Sequence, residues 1–146
     1  MKKTVRTNIV DLPYSLHDAH INKIQVKQVN EYEAKVKLFF DGGFFVPRDG
    51  DTVHIAGRLL FEKVDLDYCS VYVLNTTGKK NRKIKGKEYE LKAFAKKYKV
   101  LDMEIVDETY GYNQSKFSGF MYSKNKMYEF IIEMYHLGDM TYVTEE

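Results

Sequence analysis

The sequence predicts a mainly β protein: a two-sheet sandwich of jelly-roll type, or a barrel, with about 8–10 mostly antiparallel strands and one short helix near residues 87–98. Three observations carry that prediction. Apolar residues recur at every second position over long stretches, as half-buried strands require. The aromatic fraction is 14%, twelve Tyr and nine Phe without Trp, and with many Val and Ile it favours strands over helices. Only the segment beginning at Lys87 has the spacing of an amphipathic helix. A chain of 146 residues is most simply a single domain, residues 1–146, large enough to bury a core without disulfides or a structural metal.

Taken in order, residues 1–11 form an edge strand or a loose arm, and Leu12-Pro13 marks an extended entry, since Pro restricts the residue before it. Ile24 and Val26, then Ala34, Val36, Leu38 and Phe40, read as a hairpin. For these residues to share one face, paired positions must sum to an even number. A three-residue loop over Val29, Asn30 and Glu31 then sets Gln28 opposite Tyr32, Val26 opposite Ala34 and Ile24 opposite Val36. Asp41-Gly42-Gly43 is the strongest turn signal, and residues 47–51 break the pattern. Residues 52–61 read as one long strand in which Gly57 marks a bulge or a close backbone approach.

The alternation changes phase near Glu62 and Lys63, then resumes in Val64, Leu66, Tyr68, Ser70, Tyr72 and Leu74. A polar loop over residues 76–81 and a short strand over 82–85 precede the helix. Its buried stripe is Leu91, Phe94, Ala95 and Tyr98, beneath a lysine-rich outer face. Residues 100–110, 117–122 and 127–135 are strands, the last two joined through Ser123-Lys124-Asn125-Lys126. A turn at Gly138-Asp139 leads to a final short strand.

The net charge of +2 conceals an asymmetry. Residues 79–99 carry ten Lys or Arg against two Glu, and residues 100–146 carry three Lys against nine acids. Such a split complements itself within the fold, joins two copies as a homodimer, or presents a basic face to an anion. The basic surface comprises Lys79, Lys80, Arg82, Lys83, Lys85 and Lys87, followed by Lys92, Lys96, Lys97 and Lys99, and it suits an acidic protein or nucleic acid. Tyr89 and Tyr98 lie nearby, but Phe94 and Tyr98 fall on the apolar helical stripe. The aromatics are therefore assigned to the core and the lysines to a solvated face, which makes nucleic acid the lesser reading. Arg6, Asn8 and Asp11 interrupt any leader-like apolar segment, and no run approaches the ~18 apolar residues of a spanning helix. The single Cys69, in an apolar run, fits a reducing compartment. A cytoplasmic protein without a membrane partner is expected.

His17, Asp18 and His20 form the one concentrated polar cluster, and imidazole with carboxylate invites a metal or acid–base reading. A third ligand would have to come from afar, from His54, His136, Asp65 or Asp67. The alternative is structural: Asp commonly satisfies loop backbone where a strand begins. No catalytic residue, resident metal or cofactor is assigned, for the chain has no GxSxG, Walker, GxGxxG or HExxH motif.

Leu16-His17-Asp18-Ala19-His20-Ile21, the hairpin with Val36-Lys37-Leu38-Phe39-Phe40, and Leu59-Leu60-Phe61-Glu62-Lys63-Val64 together resemble a pattern in small bacterial β-rich proteins of unknown function. These share an LHD-[AS]-x-I segment, and some are assigned as immunity proteins of toxin systems. The resemblance spans roughly the first half of the chain. It implies a β-sandwich without established catalysis and a role in binding a protein partner, and it supplies no catalytic residues. The reading that follows is a non-catalytic, macromolecule-binding, immunity-like protein. The alternatives are a metal- or small-ligand-binding enzyme using His17, Asp18 and His20, and a nucleic-acid binder acting through residues 79–99.

Overall fold

The structure, a computed structural model, describes residues 1–75 and 85–146, apart from the side chains of residues 47 and 48. Antiparallel strands dominate it, as the alternation predicts. In chain order they are β1 (Lys2–Val5), β2 (His20–Gln28), β3 (Ala34–Asp41), β4 (Phe44–Arg48), β5 (Asp51–Ile55), β6 (Gly57–Val64) and β7 (Ser70–Asn75). After β8 (Lys85–Glu90) comes α1 (Leu91–Lys97), the one α-helix among the described residues, and then β9 (Met103–Gly111), β10 (Gln114–Ser123), β11 (Lys126–Tyr135) and β12 (Met140–Thr144). Ten strands form one sheet in the order β1-β12-β6-β3-β2-β9-β10-β11-β7-β8, and β4 and β5 form a separate two-stranded ribbon. Twelve strands lie among the described residues, and the one long strand predicted over residues 52–61 is two of them, β5 in the ribbon and β6 in the large sheet.

Beyond Val64 the sheet bends back on itself. Val64 and His136 form an antiparallel bridge, and Leu137 N–H and Gly138 N–H donate to the carbonyls of Lys63 and Glu62. The left-handed backbone of Lys63, φ 50°, lies where the predicted change of phase falls. The concave side encloses Val36, Leu38, Leu59, Phe61, Met103, Ile105, Phe117 and Ile132, all without exposure. Burying each of these side chains contributes about 1.5–3 kcal/mol relative to leaving it in water. Phe44 of the ribbon closes one end, its ring 5.0 Å from Phe40 and 5.8 Å from both Tyr14 and Tyr142.

Four local expectations are refined. The β2–β3 hairpin keeps the even sum but is shifted by two residues, with Gln28 opposite Ala34 and Val26 opposite Val36. Asn30 explains the longer loop: its side-chain oxygen accepts from Tyr32 N–H at 2.8 Å and Glu33 N–H at 2.9 Å, filling the role of a backbone carbonyl. Asp49-Gly50, with φ values of 51° and 83°, is a two-residue hairpin turn with both central residues left-handed, as is Lys124-Asn125 with 49° and 63°. Asp41-Gly42-Gly43 instead carries the chain from β3 into the ribbon. Finally, residues 87–90 are strand, not helix, because β8 pairs with β7 over its whole length and the ladder overrides helical spacing. Of the short strand predicted over residues 82–85, only Lys85 falls within the described residues, as the start of β8.

Candidate functional site

The segment carrying His17, Asp18 and His20 is held by its apolar members. Tyr14, Leu16, Ala19 and Ile21 are buried. Leu16 N–H donates to Glu108 Oε2 at 2.8 Å, Asp18 N–H to the Ile105 carbonyl at 2.8 Å, and Ile105 N–H to the Ala19 carbonyl at 2.9 Å. These bonds carry the chain through a left-handed Asp18, φ 66°, into β2. The polar members point outward to different partners. His17 Nδ1 lies 3.1 Å from Asp18 Oδ2, both side chains more than half exposed. His20 Nδ1 lies 2.7 Å from Asp102 Oδ1, and its Nε2 3.7 Å from Glu104 Oε2.

Of the more distant residues that a metal site would draw on, Asp65, His54 and His136 are engaged elsewhere. Asp65 Oδ1 accepts from Asp67 N–H at 3.1 Å in a single 3-10 turn, and the His54 ring packs against Phe45 with centroids 4.2 Å apart. Among the described residues no group of three or more His, Cys, Asp or Glu side chains is placed to hold a metal ion. His136 is buried and pairs with buried Ser115, Nε2 to Oγ at 2.8 Å, while its Nδ1 lies 2.8 Å from the Gly138 carbonyl. A carbonyl only accepts, so Nδ1 carries the proton and Nε2 receives the serine hydroxyl. That is the tautomer of a nucleophile–base pair, but Ser115 has no exposed surface, and the pair satisfies polar groups inside the core.

The surface that these elements build is the outer face of β9, β10, β11 and β7. Tyr72, Leu74, Val106, Phe120 and Ile131 lie on it half-buried, and none of them packs against the core. Direct cross-strand pairs share a face, so the register places these residues. Tyr72 stands opposite Ile131, and Ile131 opposite Ser118. A second row runs from Leu74 to Glu129, Phe120, Glu104 and His20, across five strands. Ser118 pairs with Asp107 but Gly119 with Ile105, so Val106 is an extra residue, and this bulge turns its side chain outward. A depression of about 250 Å³ forms there, lined by Leu74, Val106, Phe120 and Ile131 with Asp107 and Glu129. At its base Gly119 is required by close approach, since a Cβ would strike the Glu104 carbonyl.

The rim of this face is acidic. Glu88 stands opposite Tyr72, Glu129 opposite Phe120, and Glu104 and Asp107 follow on β9. Lys116 is engaged by Glu133 at 3.4 Å. Glu104 also accepts the Tyr122 hydroxyl at 3.0 Å, so His20, Glu104 and Tyr122 join the sequence-predicted cluster to one corner of the face. The apolar centre is hidden in the sequence because the alternation through Ser70, Tyr72 and Leu74 points to these as the apolar side, whereas Val71 is the buried residue of β7. A signal existed in β11, where the inward set Phe130, Ile132 and Met134 is complete and Ile131 is left over for the other side.

Of the predicted basic surface, Lys79, Lys80, Arg82 and Lys83 lie outside the described residues. Lys85 and Lys87 are exposed on β8, with Tyr89 on the same side of the strand and Glu88 and Glu90 on the other. Among the described residues no helix is long and apolar enough to cross a membrane. Compared with protein-family models, curated proteins and solved structures, the chain matches none.

Proposed function

We propose that the protein is a non-catalytic binding domain whose contact surface is the outer face of β9, β10, β11 and β7, and that its partner is a cationic protein. The observation that carries this reading is the set of five apolar side chains held away from the core, around a depression, inside a carboxylate rim. Apolar centre and charged rim are the anatomy of a protein interface: the centre supplies affinity, and the rim selects partners and steers encounter. The immunity-like role implied by the resemblance, binding of a protein partner without catalysis, is a function of this kind.

The test is capture of partners by the tagged chain from its source cell, after nuclease treatment, beside Ile131→Lys and a Glu104→Lys/Glu129→Lys pair. A single near-stoichiometric basic partner should be retained by the parent and lost from both variants. For the purified pair, Ile131→Lys should weaken binding at least ~30-fold, the effect of a central hot spot of about 2 kcal/mol, without altering the thermal midpoint of the chain. A partner held equally well by both variants binds elsewhere and removes this reading.

A further inference from the structure

The side of β8 turned away from Glu88 and Glu90 has the opposite chemistry. Lys85, Lys87 and Tyr89 alternate along it, and with α1 and the β10–β11 turn they bound a groove of about 450 Å³. Val73 and Met121 belong to its lining, Tyr89, Tyr98 and Tyr128 are half-buried there, and Lys85, Lys87, Lys97 and Lys124 are exposed around it. Its lining among the described residues holds no carboxylate. Helical spacing assigns Tyr98, with the aromatics around it, to the core, and Tyr128 joins them from β11. The three tyrosines do pack against the core, but each keeps an edge in the groove because α1 begins only at Leu91 and buries Leu91 and Phe94 in their place.

The cations and rings are already in contact. Lys87 Nζ lies 4.8 Å from the Tyr89 ring centroid, and Lys97 Nζ lies 5.2 Å from that of Tyr89 and 5.3 Å from that of Tyr98. Tyr89 and Tyr98 meet nearly at right angles, 82°, with their hydroxyls 3.4 Å apart, and Lys97 Nζ is 3.4 Å from the Tyr89 hydroxyl. The Tyr98 hydroxyl, followed by Lys97, draws the Tyr89 phenol below its ordinary range.

We propose that this groove binds single-stranded nucleic acid, one nucleotide unit lying with its base among the tyrosines and its phosphates at the lysines. Four ammonium groups around one groove gain from a phosphate chain, whose binding releases its counterions. Tyrosine edges and an apolar floor suit a flat base, and base–aromatic contact is tolerant of sequence. The volume suits one nucleotide, since small-ligand sites span about 300–1,000 Å³. An acidic polypeptide would use the lysines and leave the tyrosines idle. A free nucleotide offers the same chemistry as a strand with fewer phosphates.

The experiment is fluorescence anisotropy with a fluorescein-labelled 15-residue oligothymidylate, in about 50 and 200 mM salt, with ATP, inorganic polyphosphate and polyglutamate as competitors. The full chain should bind the oligonucleotide more weakly at the higher salt. Lys87→Gln/Lys124→Gln, at two exposed positions, should lower affinity at least tenfold and reduce the salt slope by about 0.7 per lysine removed. Lys2→Gln/Lys3→Gln, on β1 at the opposite edge of the sheet, removes the same charge and should leave binding within twofold. Competition by ATP as effective as by unlabelled strand makes the free nucleotide the ligand of the same site. The proposal fails if neither oligonucleotide nor ATP binds, or if the groove variant binds like the parent. It also fails if polyphosphate or polyglutamate competes as well as the strand, since the rings would then contribute nothing.

Discussion

His136 shows how much one buried residue sets. Its imidazole is held below the ordinary range by burial first and by the Arg6 charge, against the Gly138 carbonyl, which favours the charged form. The unfolded chain therefore takes up this proton at a higher pH than the folded one. Stability from this residue is fully present above the unfolded pKa of about 6.5 and falls as pH drops through and below it, until the folded imidazole is itself protonated. Thermal unfolding followed from pH 8 to pH 5 should show a loss in the parent that is smaller in His136→Gln. Equal slopes would sink this account. Cys69 is inert for a related reason: burial pushes its thiol up to about 11, and its Sγ lies 3.2 Å from the Asp65 carbonyl. The sequence marked His17, Asp18 and His20 because they are adjacent. It did not mark Ser115 and His136, since a contact across 21 residues leaves no local pattern.

At the scale of elements, α1 is a product of packing. Seven residues are too few to be helical alone, and Glu90 at its start makes no side-chain capping bond. Leu91 and Phe94 hold it, the Phe94 ring lying 5.4 Å from Tyr89 and 4.8 Å from Tyr98. Phe94→Ala should cost about 3–5 kcal/mol in urea unfolding, whereas Lys96→Ala on the exposed side should stay within about 0.5 kcal/mol. A Phe94→Ala cost below 1 kcal/mol would mean that the helix is anchored elsewhere. The apolar spacing that announces this helix is real and begins at Leu91; the predicted start at Lys87 takes in residues that pair with β7. The acid-rimmed face rests on the Val106 bulge in the same way, as a product of register between β9 and β10 that neither strand encodes alone.

Over the whole molecule, β1 pairs with β12, joining Lys2–Val5 to the far end of the chain, and β2 lies between β3 and the distant β9. Closing such long loops precedes the contacts that reward it, so folding is slow for the chain's size. Stopped-flow refolding should proceed in milliseconds to seconds, and completion in microseconds would contradict this topology. The charge asymmetry also takes its meaning at this scale. The two faces of the edge strand β8 separate a carboxylate-rimmed surface from a lysine–tyrosine groove, so one molecule presents both signs without neutralising either.

Alternation along the chain was enough to determine that the protein is mainly β and that Ile24, Val26, Ala34, Val36, Leu38 and Phe40 turn to one face, and helical spacing marked a short helix after the basic stretch. These are local properties, since neighbouring side chains of a strand must take opposite faces whatever the strand pairs with. The order of strands, the two-residue shift of the β2–β3 hairpin, the inward turn of Val71 and the outward turn of Tyr72 and Val106 were decided only by the tertiary structure. Each depends on which distant strand wins a given edge, a competition settled by the packing of the whole core at once.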